Sequence, residues 1–86
     1  DIIQENQHSW LVKGGADLYQ LEQELGTDHL MRDEGYITVA GLILSELERL
    51  PTAGEIVTLE HVTFTMLELD GQRIKLLRVE LVTDDN

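Results

Sequence analysis

Residues 61–82, HVTFTMLELDGQRIKLLRVELV, carry the pattern on which the fold turns. Two runs rich in β-branched, aromatic and leucine side chains, 61–69 and 72–82, flank Asp70-Gly71, residue types suited to the positive φ angles of a two-residue hairpin turn. That turn predicts a register with Leu69 opposite Gln72, Glu68 opposite Arg73, Leu67 opposite Ile74, Thr65 opposite Leu76, Phe64 opposite Leu77 and Val62 opposite Val79. Successive strand side chains point to opposite faces, so Leu67, Leu69, Ile74 and Leu76 share one face near the turn. Farther from it, Val62, Phe64, Leu77, Val79 and Leu81 share the other. The switch falls at matched positions, and this register needs no bulge. One half of the hairpin would cover a core, and Val62, Phe64, Leu77, Val79 and Leu81 become interface candidates for a second body. The competing reading is that sheet twist and loops cover both patches within one domain.

Upstream of the hairpin, Ile56 to Leu59 reads as a short strand after a turn at Thr52, Ala53 and Gly54. A helix is expected from near Thr38. At about 100° per residue, Tyr36, Val39, Ala40, Ile43, Leu44, Leu47 and Leu50 fall on one arc, with Gly41, Ser45, Glu48 and Arg49 opposite and Pro51 closing the helix. Leu42 lies off that arc beside Arg49 and joins the interface candidates. Residues 27–36 read as a connecting loop. Before them, Asp17 is placed to cap a helix with Gln20 bonding back, Leu18, Leu21 and Leu25 line one face, and Gly26 supplies the stop. Glu22, Gln23 and Glu24 form the expected solvated side. Ser9 to Lys13 is a β-prone run ended by Gly14 and Gly15. The predicted class is α+β, with two helices packed on a small, mostly antiparallel sheet that ends in a C-terminal hairpin.

Composition narrows what such a domain can do. The chain has 86 residues, 42% of them hydrophobic, which suits a single domain with one core. Its 17 Asp and Glu against 6 Lys and Arg give a net charge of -11. That field opposes nucleic acid and anionic membrane surfaces, both of which need basic protein surface. No apolar run is long enough for a membrane span, so no direct membrane insertion is expected. The absence of cysteine removes disulfides and thiolate metal sites and fits a reducing cytoplasm. A start at Asp1 and a polar tail at Asp84, Asp85 and Asn86 suggest a domain excised from a longer chain.

Catalytic patterns are scarce, and no enzyme is expected: there is no His-Glu-x-x-His, no phosphate-binding Walker loop and no Gly-x-Ser-x-Gly elbow. His8, His29 and His61 stand at spacings that define no metal motif. Asp33 with Glu34, and Asp84 with Asp85, are the carboxylate pairs that could hold Mg²⁺ or Ca²⁺, with solvated charge as the simpler account. Gly14-Gly15 before a helix could cradle a phosphate, but Asp17 competes for the same amides, and a tight turn explains the pair as well. Arg73, Lys75 and Arg78 make a small basic patch, with Glu68 expected to neutralise Arg73.

Tyr36-Ile37-Thr38-Val39-Ala40-Gly41-Leu42-Ile43-Leu44, then Arg49-Leu50-Pro51, Gly54-Glu55, Arg73-Ile74 and Arg78-Val79, together resemble the CorC/HlyC transporter-associated domain over roughly residues 3–82. Glu48 departs from it, standing where many relatives have Gly, as does the Asn6-Gln7-His8-Ser9-Trp10 opening. The resemblance implies a cytoplasmic C-terminal accessory domain of hemolysin-like and magnesium and cobalt efflux proteins, following a pair of CBS domains and often a membrane domain. It also implies a fold similar to FAD-binding domains of the PCMH and CO dehydrogenase flavoprotein type. The expected function is non-catalytic modulation of ion transport through homodimerisation or contact with the CBS domains. The alternatives are a binding module for FAD or an adenine nucleotide, and a divalent-cation sensor.

Overall fold

The structure, a computed structural model, describes residues 1–26 and 38–82. In chain order it contains β1 (Ile2–Asn6), β2 (Ser9–Lys13), α1 (Leu18–Leu25), α2 (Val39–Leu47), β3 (Ile56–Leu59), β4 (Val62–Asp70) and β5 (Arg73–Leu81). The strands form one sheet in the order β1-β2-β5-β4-β3, with every neighbouring pair antiparallel. Strand β1 escaped the sequence reading because polar Gln4, Glu5 and Asn6 follow its two isoleucines; its exposed edge position tolerates them. The expected loop at 27–36 lies outside the described residues.

The hairpin differs from its predicted register in two ways. Asp70 pairs with Arg73, so the turn is Gly71-Gln72, with Gly71 at φ 62°. This matches the turn class that puts glycine at its first central position, and it moves every partner by two residues. The pairing then breaks step between Met66 and Glu68 and again between Glu68 and Leu69, leaving Leu67 out of register on β4 and Lys75 on β5. Each extra residue rotates its strand by one side chain. Val62, Phe64 and Met66 thereby stay on the same buried side as Leu69, and Leu77 and Val79 on the same side as Ile74. The two apolar faces expected from strict alternation are one face.

That face builds the core. Trp10 and Val12 of β2, Val57 of β3, Val62, Phe64 and Met66 of β4, and Ile74, Leu77 and Val79 of β5 pack against Leu18, Leu21 and Leu25 of α1 and Val39, Leu42 and Ile43 of α2. In α1 the leucine face and the Asp17 cap hold as predicted, although the Asp17 carboxylate accepts from the Tyr19 amide and the stop is Gly26 at φ 75°. Glu22, expected in solvent, is 4% exposed. In α2 the Thr38 hydroxyl caps the Gly41 amide, and the buried stripe is Val39, Leu42 and Ile43. It is turned toward Leu42 from the predicted arc. A helix this apolar can bury several sides, and packing chooses which side goes deepest. The helix also stops at Leu47, with Glu48 in the left-handed conformation at φ 58°, before Pro51 is reached, and Leu50 is consequently exposed.

Candidate functional site

Five of the six predicted interface residues have no surface to offer. Leu42, Phe64, Leu77 and Val79 are fully buried, Val62 is 2% exposed, and Leu81 is half-buried against the same core. The reason lies in the hairpin irregularities and the rotation of α2, which turn all of them inward. The expected two-sided hairpin is therefore corrected: these side chains are monomer core.

The surface that is open lies on the opposite side of the sheet. One row of paired residues crosses all five strands there: Ile3, Leu11, Arg78, Thr65 and Ile56. Ile3 and Ile56 close its two ends at 63% and 61% exposed, Leu11 is half-buried, and Arg78 donates from Nε to Glu5 Oε1 at 3.2 Å. The two ends of the row are thus exposed aliphatics, with half-buried Leu11 beside Ile3 and with Arg78 and Thr65 between Leu11 and Ile56. Sequence reasoning missed the row because β1 supplies one end of it.

A second feature lies at one end of β2 and β5. A cleft of about 320 Å³ is lined by Lys13, Arg73 and Lys75, with Asp1, Asp70 and Gly15 around it. Lys75 reaches it at the position where β5 falls out of register. Three of the chain's 6 Lys and Arg thus meet at one place. In the strand register Arg73 stands opposite Asp70, and Glu68 stands opposite Leu76 instead of Arg73. The glycine pair beside this cleft is a packing device: the Gly14 amide donates to the Lys75 carbonyl, and the Gly14 carbonyl accepts from the Ala40 amide. The Ala16 amide donates to the Lys13 carbonyl. These backbone groups are committed within the fold and form no phosphate cradle.

Behind α2, Glu55 accepts from both terminal nitrogens of Arg49, and the Thr52 amide donates to its Oε1 at 3.0 Å. The Arg49 bonds first, and the Thr52 amide after them, hold the Glu55 carboxyl down at about 2. This clamp closes the turn around Pro51. Among the described residues no three His, Cys, Asp or Glu come together as a metal site; His8 and His61 are exposed, while His29, Asp33, Glu34, Asp84 and Asp85 lie outside the described residues. No described helix is long and apolar enough to cross a membrane.

Comparisons with known proteins agree with this architecture. A UPF0053 protein of Buchnera aphidicola is 41% identical over 86 residues, which is 100% of this chain and 16% of that protein. The UPF0053 inner membrane protein YoaE of Escherichia coli K12 is 39% identical over 81% of this chain, which spans 14% of it. The chain is therefore a small fraction of the length of these relatives. Among solved structures, the CorC-associated region from Neisseria meningitidis superposes with a TM-score of 0.84 at 26% identity, covering 94% of this chain and 98% of that one. The CorC_HlyC domain of a Xylella fastidiosa hemolysin, in complex with Mg²⁺ and Mn²⁺, gives 0.82 at 26% identity, covering 95% and 98%. With the family's sequence pattern matched over residues 3–83, the chain belongs to the CorC_HlyC family, the transporter associated domain.

Proposed function

We propose that the domain is a non-catalytic regulatory module of an ion-transporting parent protein, and that it acts by docking its open sheet face on another part of that parent. The observation that carries this reading is the row from Ile3 to Ile56, which presents aliphatic surface on the side of the sheet away from the helices. The natural occupant is the parent chain, because both relatives are about six times as long as this chain, and one is named an inner membrane protein. A pair of CBS domains is the occupant the family resemblance favours. Docking in one transport state and not the other would shift the equilibrium between them by the difference in contact energy.

The test is the parent protein carrying Ile3→Glu with Ile56→Glu. Both side chains are exposed, so the domain should fold as before, while ion flux should lose its dependence on the domain. Flux regulated as in the unmodified parent would overturn the reading.

Divalent-cation sensing is a second reading, favoured by the Mg²⁺ and Mn²⁺ complex of the Xylella fastidiosa domain. Calorimetric titration with Mg²⁺ decides it: saturable heat supports sensing, and silence at millimolar metal removes it.

A further inference from the structure

We infer that the cleft between Lys13, Arg73 and Lys75 is a binding site for a phosphate-bearing small molecule. Charge placement sets this cleft apart. In a chain with a net charge of -11, random scatter would leave each cation among acids, yet half of the 6 Lys and Arg line one cleft. They come from separate parts of the chain, Lys13 from the end of β2, and Arg73 and Lys75 from the start of β5.

Strand geometry aims the two cations of β5 the same way. Ile74 is buried, so Arg73 and Lys75 on either side of it both point away from the core. Lys75 has no partner on β4 at the hairpin irregularity, and its carbonyl accepts from Gly14 of the β2 side. Beneath the cations the backbone is pinned by Gly14 donating to the Lys75 carbonyl at 3.1 Å and Lys13 donating to the Asp1 carbonyl at 3.0 Å. A side chain placed at Gly15 would meet nothing within 4 Å, so the floor beside Lys13 is open to a ligand.

Size and charge select the ligand. A volume of about 320 Å³ is at the small end of ligand sites and accommodates one or two phosphoryl groups. Asp1 and Asp70 on the rim leave an excess of one positive charge. That excess suits a compact dianion reached by three cations at once. It disfavours an extended acidic peptide, whose carboxylates would pass over the rim aspartates. Arg73 can grip two phosphate oxygens with its fork, and the lysines act as point charges. Because the site uses side chains, it is compatible with the internal commitment of the Gly14 and Ala16 amides. The cleft lies at the turn end of the same open face as Ile3 and Ile56, and in the isolated chain its binding is read without any docked partner.

The experiment is nuclear magnetic resonance titration of the 86-residue chain with inorganic phosphate, pyrophosphate and an adenine nucleotide, at fixed ionic strength so that general screening stays constant. Saturable shifts centred on Lys13, Gly15, Arg73 and Lys75 are expected. If pyrophosphate alone saturates the site, the ligand is read through its phosphates; tighter binding of the nucleotide means that the base adds contacts. Lys13→Gln and Lys75→Gln remove exposed charges without touching the core, and each should weaken binding by roughly tenfold. Arg73→Lys keeps the charge but loses the fork and should weaken it less than Arg73→Gln. No saturation at millimolar ligand, equal binding by the Gln variants, or capture of a polyglutamate peptide in preference to pyrophosphate would each overturn the proposal.

Discussion

At the residue scale, three positions carry more than their side chains suggest. Gly14 stands where a Cβ would lie 1.9 Å from the Ile74 carbonyl oxygen, inside any allowed contact, so β2 and β5 cannot close around another residue. Gly14→Ala should therefore cost about 3 kcal/mol or prevent folding, read from urea unfolding. Glu48 is the opposite case, a bulky residue held at φ 58° where glycine would sit without strain. The left-handed conformation costs a non-glycine residue about 1–2 kcal/mol, and glycine returns roughly 0.5–1 of that through its unfolded-state freedom. Glu48→Gly should raise stability by about 0.5–1 kcal/mol. Glu55, held at about 2 by Arg49 and the Thr52 amide, has a folded pKa below its ordinary 4.5. Its contribution is fully present above about pH 4.5 and is lost as pH falls toward 2, so Glu55→Gln should flatten the acid limb of the stability profile over that window.

At the element scale, α2 and the hairpin show how packing rearranges a correct pattern. The sequence locates the helix start at Thr38 and the strand pair on either side of Gly71, and both stand. What changes is rotation about the element's own axis. Leu42, set apart by the helical arc, is fully buried, so Leu42→Ala should destabilise the isolated domain by about 2–5 kcal/mol. A surface contact residue would leave that stability within about 0.5 kcal/mol. Thermal or urea unfolding of the single variant separates the two roles.

At the scale of the whole molecule, a sheet with helices on one side gives a single core and one open face. The only tryptophan, Trp10, sits in that core at 3% exposure, and its indole N–H has no acceptor among the described residues. Burial of the large ring offsets that cost, about 1–3 kcal/mol. Because Trp10 belongs to the one buried cluster that joins both helices to the sheet, its fluorescence reports on that core. Unfolding followed by fluorescence and by far-ultraviolet circular dichroism should give coincident transitions. Separated transitions would mean that the helices and the sheet unfold as distinct units.

Local information determined the α+β class, the helix cap at Asp17, the helix start near Thr38, the left-handed stop at Gly26, the strand at Ile56–Leu59 and the hairpin strands. These depend on residue chemistry within a few positions, and the motif from Thr38 to Glu55 carried the family with them. The tertiary structure decided which faces are buried. Strict alternation placed Val62, Phe64, Leu77 and Val79 on a second surface, and one extra residue in each strand returned them to the core. A one-residue step inverts every side chain beyond it, yet it leaves composition and local propensity unchanged. Lys13 likewise meets Arg73 and Lys75 only because β2 and β5 are paired, a long-range contact that local sequence does not show.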